Sequence, residues 1–95
     1  MTKTIQAIKK RVLPILKQHG IKRAAVFGSY ASGLQTRNSD VDILVDIRKN
    51  ISLLDFVGIK LQIEEALHKK IDLVEYDTIK PMLKEKILHE QVIIL

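Results

Sequence analysis

The chain has 95 residues, no cysteine, and a net charge of +5 from 16 Lys and Arg against 11 Asp and Glu. That length supports one hydrophobic core, so a single domain over residues 1–95 is expected. Disulfides and thiolate metal sites are excluded, and no apolar run reaches bilayer length and no signal peptide is visible, so a cytoplasmic protein without membrane contact is expected.

Thr2 to His19 reads as a helix, because Ile5, Ile8, Val12 and Leu16 recur at three- and four-residue steps. Thr2 or Thr4 is placed to cap it. Pro14 predicts a kink or break near Lys10 to Leu13, since its ring clashes with the carbonyl four residues back. Gly20 suits the position after the last turn. A first strand is expected over Lys22 to Phe27, then a short helical turn over Tyr30 to Leu34, with chain reversals at Gly33 and Asn38. Val41 to Ile47 reads as a second strand. Its odd positions, Val41, Ile43, Val45 and Ile47, are apolar and β-branched. The alternate positions run Asp40, Asp42, Leu44, Asp46, so one face is core and the other carries acids over an apolar middle.

Arg48 to Ile51 reads as a loop. Ser52 caps a third helix, with Asp55 in the capping-box position. Leu53, Val57 and Leu61, beside Phe56, Ile63 and Leu67, form its broad apolar stripe. Lys69-Lys70 closes that helix, where cations suit the dipole. Glu64 and Glu65 read as a solvated helix face, and His19, His68 and His89 as surface residues near helix ends. A third strand is expected over Ile71 to Tyr76. A fourth helix follows from Thr78 to about Glu90, with Pro81 in its first turn, and Gln91 to Leu95 adds an edge strand. The fold class is α/β (α+β), a small mixed sheet of three to four strands with helices packed on it.

One constellation stands out. Gly28-Ser29 ends the first strand, and Asp40-Val41-Asp42 starts the second. Asp40 and Asp42 share a strand face, and two like charges so close are costly unless a cation or a proton lies between them. Magnesium, a hard ion with oxygen ligands, takes one or two carboxylates plus substrate phosphates. A glycine lets backbone approach a phosphate, which exposed amides and the Ser29 hydroxyl can hold. Both halves must reach one site, so the first two strands run antiparallel. A right-handed helical crossover then makes the third strand parallel to the second and brings Asp72 to the same face. Asp46 lies four residues from Asp42, about 13 Å along a strand, and reads as a polar strand end. Ser39 either hydrogen-bonds a phosphate or caps the turn before the strand.

Gly28-Ser29, ten intervening residues, and Asp40-Val41-Asp42, with Ser39 just before the first acid, resemble the signature of the nucleotidyltransferase superfamily that includes DNA polymerase beta. The chain is most similar to the minimal nucleotidyltransferases of prokaryotes. The resemblance implies a polymerase-beta-like fold and a third catalytic acid, Asp72, within Lys70-Ile71-Asp72-Leu73-Val74. It implies two magnesium ions held by Asp40, Asp42 and Asp72, with Asp72 near the attacking hydroxyl, and a nucleoside triphosphate held by Gly28, Ser29 and Ser39. Ser32 departs from the pattern. Many minimal members carry an arginine there, so a phosphate-steering cation is missing or Arg37 substitutes.

The implied activity is magnesium-dependent transfer of AMP from ATP to a hydroxyl, with release of pyrophosphate. Minimal members are paired with small helical HEPN-class toxins and act as antitoxins, and some adenylylate a tyrosine of that partner. Two other readings stand beside this one: an antitoxin that masks its toxin by binding alone, and a small-molecule (antibiotic-like) nucleotidyltransferase whose acceptor pocket forms with a second chain. Direct nucleic-acid binding is not expected, because the basic runs are short and only four aromatic residues are present.

Overall fold

The computed structural model describes residues 1–47 and 50–95; the loop expected over Arg48 to Ile51 therefore lies partly outside the described residues. Helix α1 spans Lys3–Gln18, and the Thr2 hydroxyl caps it by accepting the Ile5 amide at 3.1 Å. Its buried residues are Ile5, Ile8, Val12 and Leu16, the predicted set. The helix runs unbroken through Pro14, contrary to the expected break. Pro14 and Lys10 both lie on the exposed side, so water can reach the carbonyl that loses its amide partner.

Strand β1 (Ala24–Phe27) leads directly into a short helix α2 (Gly28–Ser32), which begins two residues earlier than expected because Gly28 and Ser29 form its first turn. Strand β2 is Val41–Val45, helix α3 is Leu53–Leu67, and strand β3 is Ile71–Glu75. The Ser52 hydroxyl caps α3 by accepting the Asp55 amide at 3.1 Å. His68 closes α3 with φ 53, the left-handed position usually given to glycine, so Lys69 and Lys70 lie beyond the helix. A 3-10 turn over Tyr76–Thr78 follows β3, and α4 starts at Pro81 rather than Thr78. Proline suits the first helical position, where its missing donor costs nothing. Strand β4 (Val92–Ile93) ends the order of elements.

The sheet order is β3-β2-β1-β4. β1 pairs antiparallel with both β2 and β4, and β2 pairs parallel with β3. The expected small mixed sheet is thus present, with four strands. One face buries Val26, Val41, Ile43, Val45, Ile71 and Leu73 against the inward residues of α1 and against Ile59 and Ile63 of α3. The other face carries a smaller cluster of Ala25, Leu44 and Tyr76, packed by Phe27, Val74, Ile87 and Leu88. The α3 stripe is a correction to expectation. Leu53, Val57 and Leu61, spaced four residues apart, face outward, and Leu53 is 77% exposed. Ile63 of the expected stripe does turn inward, joined by Ile59, and Phe56 and Leu67 pack against the same core.

Candidate active site

The register places the chemistry-bearing residues in one row across the sheet. Phe27 pairs with Asp42, and Asp42 pairs with Asp72, so the two acids lie side by side at one end, and Gly28, the residue after Phe27, abuts the Asp42 carboxylate. This end holds the finish of β1 and the starts of β2 and β3. Asp40 precedes β2 by one residue and is exposed, as is Asp72, whereas Asp42 is half-buried.

Gly28 is required on two counts. Its φ of +70° is one that side chains with a Cβ rarely adopt. A Cβ there would also overlap the Asp42 carboxylate oxygen. The backbone of β1 and the Asp42 side chain are therefore packed as one unit. Ser29 sits half-buried in the first turn of α2, and its carbonyl accepts the Gly33 and Leu34 amides, the latter at 3.0 Å. Ser32 donates its hydroxyl to the same carbonyl at 3.2 Å and closes the helix locally. Gly33 takes φ +78° at the cap, a chain-reversal role.

Ser39 closes the turn before β2. Its hydroxyl oxygen accepts the Thr36 amide at 2.9 Å, and its own amide donates to the Thr36 carbonyl at 3.1 Å. This matches the turn-capping reading and places Asp40 at the mouth of the strand.

Burial pushes the Asp42 carboxyl up to about 6, and the charges of Asp72 and then Asp40 push in the same direction. Asp42 thus senses both neighbouring acids. Among the described residues, no three acidic, histidine or cysteine side chains already converge as a metal cage. The donor set nonetheless suits a hard divalent cation, whose remaining positions go to water and substrate phosphate. A cation there would remove the repulsion that raises Asp42.

Two residues that position this end were not legible from spacing. Lys69 donates to the Arg37 carbonyl at 3.0 Å and stands 6.0 Å from the Tyr30 ring centroid, tying the loop before Asp40 to α2. Glu64, read from sequence as part of a solvated face, accepts the Ile71 amide at 3.0 Å and fixes the start of β3. Only the charged character of these side chains was visible; their partners lie 32 and 7 residues away. Asp46 follows β2 at the opposite end and lines a separate hollow of about 480 Å3 with His19, Lys22 and Gln62.

Known proteins are similar to this chain in sequence and fold. The family described as polymerase beta, nucleotidyltransferase matches residues 10–95. A Methanocaldococcus jannaschii protein, provisionally named a protein adenylyltransferase, is 48% identical over 91 residues, covering 96% of this chain and 98% of that one. A solved structure provisionally described as a minimal nucleotidyltransferase superposes with a TM-score of 0.81 at 36% identity, covering 95% of this chain and 92% of its own. A more distant likeness in fold, with a TM-score of 0.73 at 17% identity and coverage of 95% and 71%, is to a Shewanella oneidensis complex of a tri-AMPylated HEPN toxin with its MNT antitoxin.

Proposed function

The chain belongs to the polymerase beta nucleotidyltransferase family and is a nucleotidyltransferase, and we propose that it moves AMP from ATP onto a tyrosine hydroxyl of a HEPN-type toxin, acting as that toxin's antitoxin. The observation that carries this reading is the row Gly28, Asp42, Asp72 with Asp40 at its mouth. Support for a protein acceptor comes from the M. jannaschii relative and from the AMPylated toxin held by the S. oneidensis antitoxin.

Asp40, Asp42 and Asp72 would hold magnesium, which supplies charge neutralisation at the triphosphate and lowers the proton affinity of the attacking hydroxyl. The Gly28-Ser29 turn would bring backbone amides and the Ser29 hydroxyl against the phosphates, and Gly28 leaves the room that the Asp42 carboxylate needs beside them. Ser39 and Lys69 fix the loop that aims Asp40. Asp72, at the open margin of the row, faces the arriving acceptor and takes up its proton. The acceptor oxygen bonds to the α-phosphorus, the bond to the bridging oxygen breaks, and pyrophosphate leaves. Position rather than an added catalytic group supplies much of the rate.

The test is to incubate the purified chain with labelled ATP, magnesium and the product of the adjacent gene. A mass gain of one or more AMP units on the partner, absent with Asp42→Asn, is the expected result. A partner that stays unmodified, yet is neutralised in cells by Asp42→Asn as well as by the wild type, would replace this reading with antitoxicity by binding alone.

A further inference from the structure

Among the described residues, β3 is an outer strand of the sheet, paired with β2 alone. Its outward backbone groups follow from the ladder. Val41 pairs with Ile71, and the Val41 amide donates to the Lys70 carbonyl at 3.1 Å. In a parallel ladder the residues that bond one neighbour alternate. Lys70, Asp72 and Val74 therefore turn their amides and carbonyls toward β2, while Ile71, Leu73 and Glu75 turn theirs outward. Two contacts agree with this. The outward Ile71 amide is taken by Glu64 at 3.0 Å, and the Glu75 carbonyl accepts the Thr78 hydroxyl at 2.9 Å. Among the described residues, the Ile71 carbonyl, both Leu73 groups and the Glu75 amide then have no hydrogen-bond partner and form a window between these two closures.

The window abuts the active-site row. Continuing Phe27, Asp42, Asp72 by one strand reaches a position beside Asp72 on the same face. In an antiparallel pairing, a residue there would sit at a non-hydrogen-bonded site, with its Cα about 4.5 Å from that of Asp72. A hollow of about 480 Å3 lies alongside the window, lined by Ile51, Leu53, Phe56, Leu73, Val74 and Thr78. Charge points the same way. Ile71 to Thr78 carries Asp72, Glu75 and Asp77 and no cation, although the whole chain is +5. Two copies pairing through this edge would bring like charges together.

We propose that the free edge of β3 docks an extended, basic segment of the acceptor protein, which adds as a further strand and carries its hydroxyl to the place beside Asp72. An unpaired row of strand amides and carbonyls is complemented by another extended backbone, and the adjacent hollow takes an apolar side chain within two positions of the hydroxyl. The inference rests on the AMP-transfer reading for its acceptor, but the docking itself is measured separately.

Glu75→Pro isolates the contact. Glu75 has φ −79°, which proline accepts, and its amide faces outward, so no ladder bond is lost. With the adjacent gene's product held below saturation, labelling by Glu75→Pro is expected to fall about tenfold. Glu75→Gln, which keeps the amide, is expected to retain most of the activity, and magnesium–ATP affinity is unchanged in both. Hydrogen exchange on the wild-type chain supplies the second readout: the Leu73 and Glu75 amides slow when the partner is added. Labelling by Glu75→Pro at the wild-type rate overturns the proposal. Should the wild type leave the partner unlabelled, the transfer reading fails and exchange alone decides. Protection at Leu73 and Glu75 then retains the docking strip, and its absence removes it.

Discussion

The two faces of the sheet are built for different ends. On one, α1 and α3 seal Val26, Val41, Ile43, Val45 and Leu73 from water. On the other, Ala25, Leu44 and Tyr76 make a small cluster that α4 covers without burying any residue of its own fully. Asp42 and Asp72 stand on this second face, beyond the apolar cluster. The same two strands thus serve both purposes, one in each alternate residue. The closed face supplies rigidity and tolerates no charge. The open face tolerates three carboxylates because one side of them stays wet.

The sharpest break of this contrast is Asp42→Asn or Asp72→Asn. Each is expected to lower AMP transfer about a thousandfold, about 4 kcal/mol in the barrier, with an unchanged circular dichroism spectrum. Full activity in Asp72→Asn would remove that residue from the site. Ile43→Ala, one residue from Asp42 but on the sealed face, should do the reverse. Ile43 is wholly buried, so chemical denaturation should show a loss of about 3 kcal/mol, while magnesium–ATP affinity at low temperature stays near wild type.

Gly28→Ala tests the join between backbone and acid. Positive φ costs about 1 kcal/mol for a residue with a Cβ, and that Cβ displaces the Asp42 carboxylate. Transfer is expected to fall about tenfold with only a modest loss of stability; a purely structural glycine would lose stability alone.

The smallest effect is on pH. Burial first, then Asp72 and Asp40, push the Asp42 carboxyl up to about 6. A raised folded value favours the neutral acid, so its contribution to stability is full below the ordinary carboxylate range and is lost as pH rises through about 6. The ideal size is about 3 kcal/mol, and solvent around this half-exposed group screens it to about 1. Without divalent cation, the melting temperature of the wild type relative to Asp42→Asn should drop between pH 4.5 and 7, and magnesium at pH 7 should recover it. A flat difference would mean that neither burial nor the neighbouring acids raise the Asp42 carboxyl.

Much of this was legible in the residues. Alternation from Val41 to Val45 identified a strand with one apolar face. The steps from Ile5 to Leu16 identified the inward stripe of α1, which Pro14 does not interrupt. The α3 stripe misled because the helix is apolar on more than one side. Periodicity names the candidate rows but not the one that turns inward, and contact with the sheet selected Ile59 and Ile63 over Leu53, Val57 and Leu61. Glu64 and Lys69 were out of reach for a related reason: a side chain's type says that it can bond, not which distant backbone group folding brings to it.

By itself the sequence determined what local physics decides: strand and helix periods, the caps at Thr2 and Ser52, and the spacing that puts Asp40 and Asp42 on one side of a strand. Topology and resemblance pointed to Asp72, but tertiary structure alone decided the pairing of Asp42 with Asp72, the pressing of Gly28 against that carboxylate, and the outer position of β3. Register depends on how whole faces pack across the sheet, because a slip of one residue would send the acids into the core and the valines into water. Residues 30 positions apart in the chain, like Asp42 and Asp72, meet only through that collective choice.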